Sequence, residues 1–447
     1  MKKVVLIPIE SFKRDALSRV YLGNELIKMG VEVIIGHPEI LSNIILPSVE
    51  KPIWLGRFIS LTGDKPEDKK LLKSLNKKKG KMYYLHDEGA FYADDNYYEA
   101  IEMLHNPRLM ADDAVKKVCV WGDYQKNYLD KYKKIKEKVT VTGMYRFDML
   151  KDPKFKFKNL KKKYGKSYTL INTRFPEANL LDGEVGIFDK RTMSHYISSG
   201  LSKEHGLYDM FKVWKSINES FTHFVYSIYK LVSENKEMLF IIRPHPVESP
   251  DFYKKAFGYF SNVIIDNEEN ISDHILSSDL VIHNECTTGV ESVIANKPTI
   301  NFVATKQKNI VGTSDSGVLV KNYKELLKTF EGLKNKKLTN PVIQNQKYLA
   351  NLEKNFLSNH KFVDMISNEN TYSKISKLNL YLFWNYAKLK TVIKFLLILP
   401  LLKLFNSNDK LLQYSFTDLK KIIVERNYEE LNSFKLFNSL YIRLKKY

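Results

Sequence analysis

Short apolar runs that each give way to a compact polar patch constrain this chain more than any other feature. Residues 82–85 precede His86-Asp87-Glu88-Gly89, residues 239–242 precede Arg243-Pro244-His245-Pro246, and residues 280–283 lead into Cys286-Thr287-Thr288-Gly289. Such runs, apolar throughout and only a few residues long, read as strands buried on both faces of a parallel sheet. The ligand crevice of an open α/β sheet lies at the carboxyl ends of its strands, where these patches fall. The first patch supplies carboxylates, the second a cation and an imidazole, the third hydroxyls with a glycine at a helix start. A proton-transfer group beside an anion cradle is what transfer from a phosphate-activated donor requires.

The rest of the chain repeats the alternation. Residues 4–9 read as a strand, and residues 15–29 as an amphipathic helix with Leu17, Val20, Tyr21 and Ile27 inward, closed by Gly30. Strands follow at 31–35, 82–85, 118–121 and 139–142, with helical stretches between them. A basic, proline-containing stretch at 152–166 breaks the pattern and reads as a linker. A second set then runs through strands at 168–172, 239–242, 263–265, 280–283 and 299–302, with a long helix near 222–234. Two βαβ sets imply two parallel sheets with helices on both faces. The expected architecture is α/β, with two facing Rossmann-type domains at 1–152 and 167–335, a cleft between them, and a basic helical region at 336–447.

Composition narrows the partners. The chain has 447 residues, 44% of them hydrophobic, enough for two or three cores. Lys and Arg number 71 against 51 Asp and Glu, a net charge of +20 that attracts polyanions: nucleic acid, anionic lipid or phosphorylated substrates. The lysines are scattered over all parts of the chain rather than set with aromatics on one element, and no RNA- or DNA-binding motif is present, which argues against a nucleic-acid binder. The same lysines also read as ordinary solvated faces. Cys119 and Cys286, the only cysteines, cannot make a disulfide framework or a zinc cluster and read as small buried hydrophobes in a reducing compartment.

The apolar run after Lys2 and Lys3 ends at Glu10, too short for the core of a signal peptide. No window has the apolar length of a spanning helix. A cytoplasmic protein is expected, peripheral on the inner membrane face. Ile375, Leu378, Leu382, Tyr386, Leu389, Ile393 and Leu396 recur at helical spacing among lysines, ahead of a break at Pro400. That segment reads either as an interfacial helix on anionic lipid or as a helix packing back on the domains.

Each patch has a plain reading beside the chemical one. Asp87 and Glu88 are adjacent, so only one can face a given atom, and a solvated acidic loop is the alternative. Pro244 and Pro246 fix the backbone around His245, while Arg243 offers a planar fork of donors suited to phosphate; the alternative is a rigid structural loop. Thr287, Thr288 and Gly289 open a helix whose first N–H groups can hold an anion, with Gly289 allowing close approach and Glu291 one turn on within reach of a ribose. Simple N-capping is the alternative. Asp148 follows the last strand of the first half, and Thr173 ends the first strand of the second; both are placed near the crevice. Arg146 with Asp148 also reads as a structural ion pair.

Taken together, these residues resemble the motifs of bacterial surface carbohydrate biosynthesis proteins, and of sialyltransferases and Kdo transferases with the GT-B fold. The matching pieces are residues 6–10 through Arg14, Asp87-Glu88-Gly89, residues 141–143 through Arg146-Phe147-Asp148, residues 170–173, Arg243 to Pro246, and His283 to Glu291 leading into Lys297-Pro298. The likeness spans roughly residues 1–330. It implies a metal-independent GT-B glycosyltransferase that needs no cofactor and moves a CMP-activated ulosonic acid onto a glycan or lipid-linked glycan acceptor. The first domain would then hold the acceptor and the second the nucleotide-sugar donor. In that picture His245 and Thr287-Thr288 hold the CMP phosphate and Glu291 the ribose, with Arg243, Pro246, Gly289 and Thr173 as further candidates for the donor site. Glu88 or Asp87 is the acid/base. Asp148 would be the nucleophile if the configuration is retained. The sequence departs from the pattern at His86, at Met144-Tyr145 and at Arg174, which leaves the acceptor side open. Two other enzyme readings stay open: a CDP-glycerol or CDP-ribitol phosphotransferase, which also carries an Arg-Pro-His-Pro patch and a serine/threonine phosphate loop, and a UDP-sugar 2-epimerase of the same fold, an isomerase with no acceptor.

Overall fold

The computed structural model describes residues 3–9, 12–60, 65–85, 106–176, 178–179, 206–304, 316–338, 358–376, 378–379, 382, 432–436 and 439–444. The chain divides into two compact units. The first draws on Met1–Gly89, Tyr98–Asp152 and Lys347–Tyr447, and the second chiefly on Pro153–Gln346.

In the first unit β1 (Val4–Pro8), β2 (Glu32–Gly36), β4 (Ile53–Leu55), β5 (Lys81–Leu85), β6 (Val115–Val120) and β7 (Val139–Val141) form the parallel body of a sheet. β1 and β4 are adjacent, so the order reverses between them. Helix Phe12–Lys28 follows β1 and buries Ala16, Leu17, Val20 and Leu26. Gly30 ends it with φ +76, the left-handed conformation that closes a helix without a Cβ penalty. β4 was not expected: Pro52 and Gly56 bracket its three residues and read as loop.

The last part of the chain belongs to this same unit. Helix Ser358–Ser367 buries Phe362 and Ile366, and Tyr83 donates to Glu369 at 2.6 Å. β14 (Lys374–Ile375) pairs antiparallel with β3 (Val49–Glu50). Beyond the helix expected there, β15 (Asn432–Leu436) and β16 (Ser439–Leu444) form a hairpin that extends the sheet past β2. The apolar stretch from 375 to 396 falls almost wholly outside the described residues. Among the described residues, no helix is long and apolar enough to cross a membrane.

The second unit is a six-stranded, all-parallel sheet of β8 (Tyr168–Asn172), β9 (Leu239–Arg243), β10 (Val263–Ile265), β11 (Leu280–His283), β12 (Thr299–Phe302) and β13 (Val318–Val320). Its order is β10-β9-β8-β11-β12-β13, the doubly wound arrangement, with the reversal between β8 and β11. Strand side chains alternate faces, and the two cores follow. Ile171, Phe240, Ile242, Leu280 and Ile282 pack with Phe224, Ile228 and Phe330 on one side. Leu170, Leu239, Ile241 and Val281 pack with Leu160 and Ile275 on the other.

The basic stretch read as a linker is part of this unit. Leu160 is fully buried, the Lys158 N–H donates to Asp273 at 2.9 Å, and Lys158 and Lys163 pair with Glu269. Lys158, Lys161 and Lys163 sit opposite carboxylates of the same unit, so charge pattern alone misled the reading there.

Candidate functional site

Strand register lays a polar row across the carboxyl edge of the second sheet. Arg243 pairs with Asn172, Asn172 with His283, and His283 with Asn301. Immediately below this row stand Ile242, Ile171, Ile282 and Ile300; at it, the strands change to side chains that carry donors and acceptors. The loops that follow β8, β9 and β11 spring from this row, on either side of the point where strand order reverses.

Arg243 is buried, and among the described residues its Nε has no hydrogen-bond partner. Burial pulls its pKa below the ordinary guanidinium value, while Cys286, Asp266 and Glu291, all within electrostatic reach, oppose that shift. A desolvated cation with an unused donor is suited to an anion. His245 is half-buried, and its Nδ1 accepts from the Val247 N–H at 3.5 Å, which leaves Nε2 to carry the proton of the neutral ring. The Glu248 N–H donates to the His245 carbonyl at 2.8 Å, closing a turn with Pro246 at its second position. Pro246 acts through that turn.

The third patch divides by role. Cys286 caps helix Thr287–Ile294, and its sulfur lies 3.4 Å from Thr288 Oγ1 and 3.5 Å from Asn172 Nδ2. Thr288 is buried against that sulfur, whereas Thr287 is half-buried and more open to solvent. Glu291 is buried, a charge placed near Arg243. Gly289 has a different purpose from the one expected: a Cβ there would lie 2.1 Å from His283 Nε2, so the missing side chain makes room for a buried ring. His283 donates from Nε2 to the Ser316 carbonyl at 2.7 Å and accepts the Cys286 N–H at Nδ1, 3.2 Å away. Burial pushes its pKa down to about 4.

Thr173, expected to line the site, is fully buried with its hydroxyl donated to Glu248 Oε2 at 2.9 Å. Its role is to hold a loop. Glu248 escaped the sequence reading although it stands two residues past Pro246. Its carboxylate also accepts the Phe175 N–H at 2.7 Å and the Tyr253 hydroxyl at 2.6 Å. Burial raises its pKa to about 7 against those donors. Another buried group, His274, contacts the Tyr168 hydroxyl at 3.3 Å, and burial, then the Arg243 charge, bring it down to about 3.

In the first unit Asp148 is buried in helix Tyr145–Lys151. Its charge adds to burial and to the Asp152 hydrogen bond in holding the Tyr21 proton well above the ordinary range. Three arginines, Arg19, Arg57 and Arg146, are buried in this unit as well. Arg19 lies 5.3 Å from the centre of the Tyr145 ring, and its guanidinium would be 3.9 Å from a Cβ on Gly56. The one available signal was an arginine in the inward face of an amphipathic helix, between Leu17 and Val20. Asp87 and Glu88 lie outside the described residues. Among the described residues no group of His, Cys, Asp and Glu could hold a metal ion.

By sequence, neither a family model nor a curated protein matches the chain. By structure, it is similar to a putative UDP-N-acetylglucosamine 2-epimerase from Listeria monocytogenes, with a TM-score of 0.52 and 12% identity over 83% of this chain and 98% of the other. A second solved structure, a UDP-N-acetylglucosamine 2-epimerase, gives a TM-score of 0.50 and 13% identity over 84% of this chain and all of its own. The fold is therefore the GT-B-like one of these nucleotide-sugar enzymes: two α/β units, each with a parallel sheet. The expected CMP-ulosonic acid glycosyltransferase is corrected by this finding. The fold is matched by epimerases of a UDP-sugar.

Proposed function

We propose that this protein is a nucleotide-sugar enzyme acting on a UDP-activated N-acetylhexosamine, and that it inverts carbon 2 of the sugar. One observation carries the reading. Beside the reversal point of a doubly wound sheet, Arg243, whose Nε has no partner among the described residues, lies within electrostatic reach of Cys286 at the start of helix Thr287–Ile294 and of Glu291 within it. That is an anion cradle where such sheets bind nucleotides, and the likeness in fold to the 2-epimerases supports the uridine class.

In this reading Arg243, His245 and Thr287 hold the diphosphate, and Glu291 holds the ribose. Inversion at carbon 2 balances as an elimination and re-addition: a base takes the carbon 2 proton as the bond from carbon 1 to UDP breaks, and a proton returns to the opposite face of carbon 2 as UDP rejoins carbon 1. Asp87 and Glu88, which follow β5 in sequence, supply carboxylates for that exchange. No acceptor and no net redox change are needed.

The test is incubation with UDP-GlcNAc in deuterated water. The 2-epimer should form with one deuterium at carbon 2, and a carboxamide at Glu88 or Asp87 should stop the exchange while leaving UDP binding intact. If full-length protein binds UDP no better than CMP or CDP in a thermal-shift comparison and incorporates no deuterium, the reading fails.

A further inference from the structure

The three loops that make up the cradle are joined by a chain of side-chain bonds. Beyond Asn172, and before the Ser249 N–H meets the Asn179 carbonyl at 3.0 Å further along the loops, the last backbone bond between the two segments is from the Thr173 N–H to the Arg243 carbonyl, at 3.2 Å. Past it the two strands part, and Glu248 continues the pairing with its side chain: Oε1 takes the Phe175 N–H, and Oε2 takes the Thr173 and Tyr253 hydroxyls. Its own N–H closes the turn on the His245 carbonyl. Phe175 anchors the first loop below, in contact with Phe221 and Phe224 at ring separations of 5.3 and 5.2 Å. Between those two anchors Arg174 reaches the Glu285 carbonyl at 3.2 Å, on the loop after β11. Glu285 itself has φ +40, and its N–H donates to Asn301 Oδ1 at 3.0 Å.

We propose that Glu248 is a positioning residue of the nucleotide cradle: its carboxylate clamps the β8 and β9 loops together and so presents Arg243 and His245 to the ligand. The physical reason is the loop's composition. Pro244 and Pro246 have no N–H to donate, so the segment carrying His245 has few backbone bonds to hold it. A carboxylate with three donors replaces them, and a fixed loop loses less entropy when a ligand orders it. The choice of nucleotide rests on the function proposed above; the clamp does not.

Two measurements test it on the full chain. Without ligand, amide exchange at Phe175 and Glu248 should rise at least about tenfold in Glu248→Ala, as expected when a buried acceptor is removed. Exchange should return close to the wild-type rate in Glu248→Gln, which keeps an acceptor for Phe175 and a polar group for the two hydroxyls. Unchanged exchange in Glu248→Ala overturns the proposal.

With UDP-GlcNAc as the probe, Glu248→Ala should bind about tenfold more weakly. The same change made in His245→Ala should cost much less, because the clamp acts through that residue. Equal losses in both backgrounds would mark Glu248 as a general stabiliser and overturn the positioning role. If wild-type protein binds no UDP-sugar yet the exchange rates respond as stated, the clamp stands on the exchange data and the proposed function is what fails.

Discussion

The ring of His283 lies directly against Gly289, so close that a methyl group on the glycine would meet Nε2 at 2.1 Å. The ring cannot yield easily, because both its nitrogens are committed, one to the Ser316 carbonyl and the other to the Cys286 N–H. The start of helix Thr287–Ile294 is thus seated on a buried imidazole.

Gly289→Ala is expected to be costly for that reason. Overpacking at a site that cannot relax costs typically about 1–3 kcal/mol, and here the shift would move Cys286 and Thr287 as well. Denaturant unfolding should show the loss, and nucleotide affinity should fall with it. Wild-type values for both would show that the ring moves aside without consequence.

Acid should weaken the protein through the same ring. The His283 pKa is pushed down from 6.5 to about 4, so the folded state resists a proton that the unfolded chain accepts. The stability it contributes is complete above pH 6.5 and is lost as pH falls from there towards 4, by about 3 kcal/mol. His274, lowered to about 3, acts in the same direction. Urea midpoints between pH 7.5 and 5 should decline, and His283→Asn should flatten part of that slope.

Glu248 has the opposite sign. Its pKa is raised from 4.5 to about 7, so the stability it contributes is full below pH 4.5 and is lost as pH rises through 7, by about 3 kcal/mol. Glu248→Gln removes the ionisation and should be at least as stable as wild type at pH 8, while showing less advantage at pH 5. A variant less stable than wild type across this whole range would mean that the ionised form is the one the fold prefers.

Arg243→Met should fold, since the aliphatic stem is buried, yet bind UDP at least about tenfold more weakly through loss of a charge-assisted donor. Isothermal titration measures this. Unchanged affinity would place the phosphate elsewhere.

Most of the framework was legible in residue pattern. β8, β11 and β12 lie where the apolar runs predicted them, because short buried strands leave continuous hydrophobic runs between polar breaks, and β10 does so as a partly exposed edge strand. β4, set between Pro52 and Gly56, and β13, directly after Gly317, were hidden by the loop signals beside them rather than by length, since β7 and β10 are equally short and were read. The pairing of the last residues with β2 was equally hidden, since register between segments some four hundred residues apart leaves no local trace.

The site divides in the same way. That Arg243, His245 and Thr287 stand at strand ends followed from sequence, because a strand end is a local event. Their relation to one another was settled by strand order: β8 is the central strand that brings β9 and β11 to either side, and side-chain chemistry does not encode which strands become neighbours. Gly289 shows the difference in a single residue. Its lack of a side chain is written in the sequence, but whether the space serves a ligand or a buried ring depended on His283, whose position is fixed by the helix that folds back over its own strand.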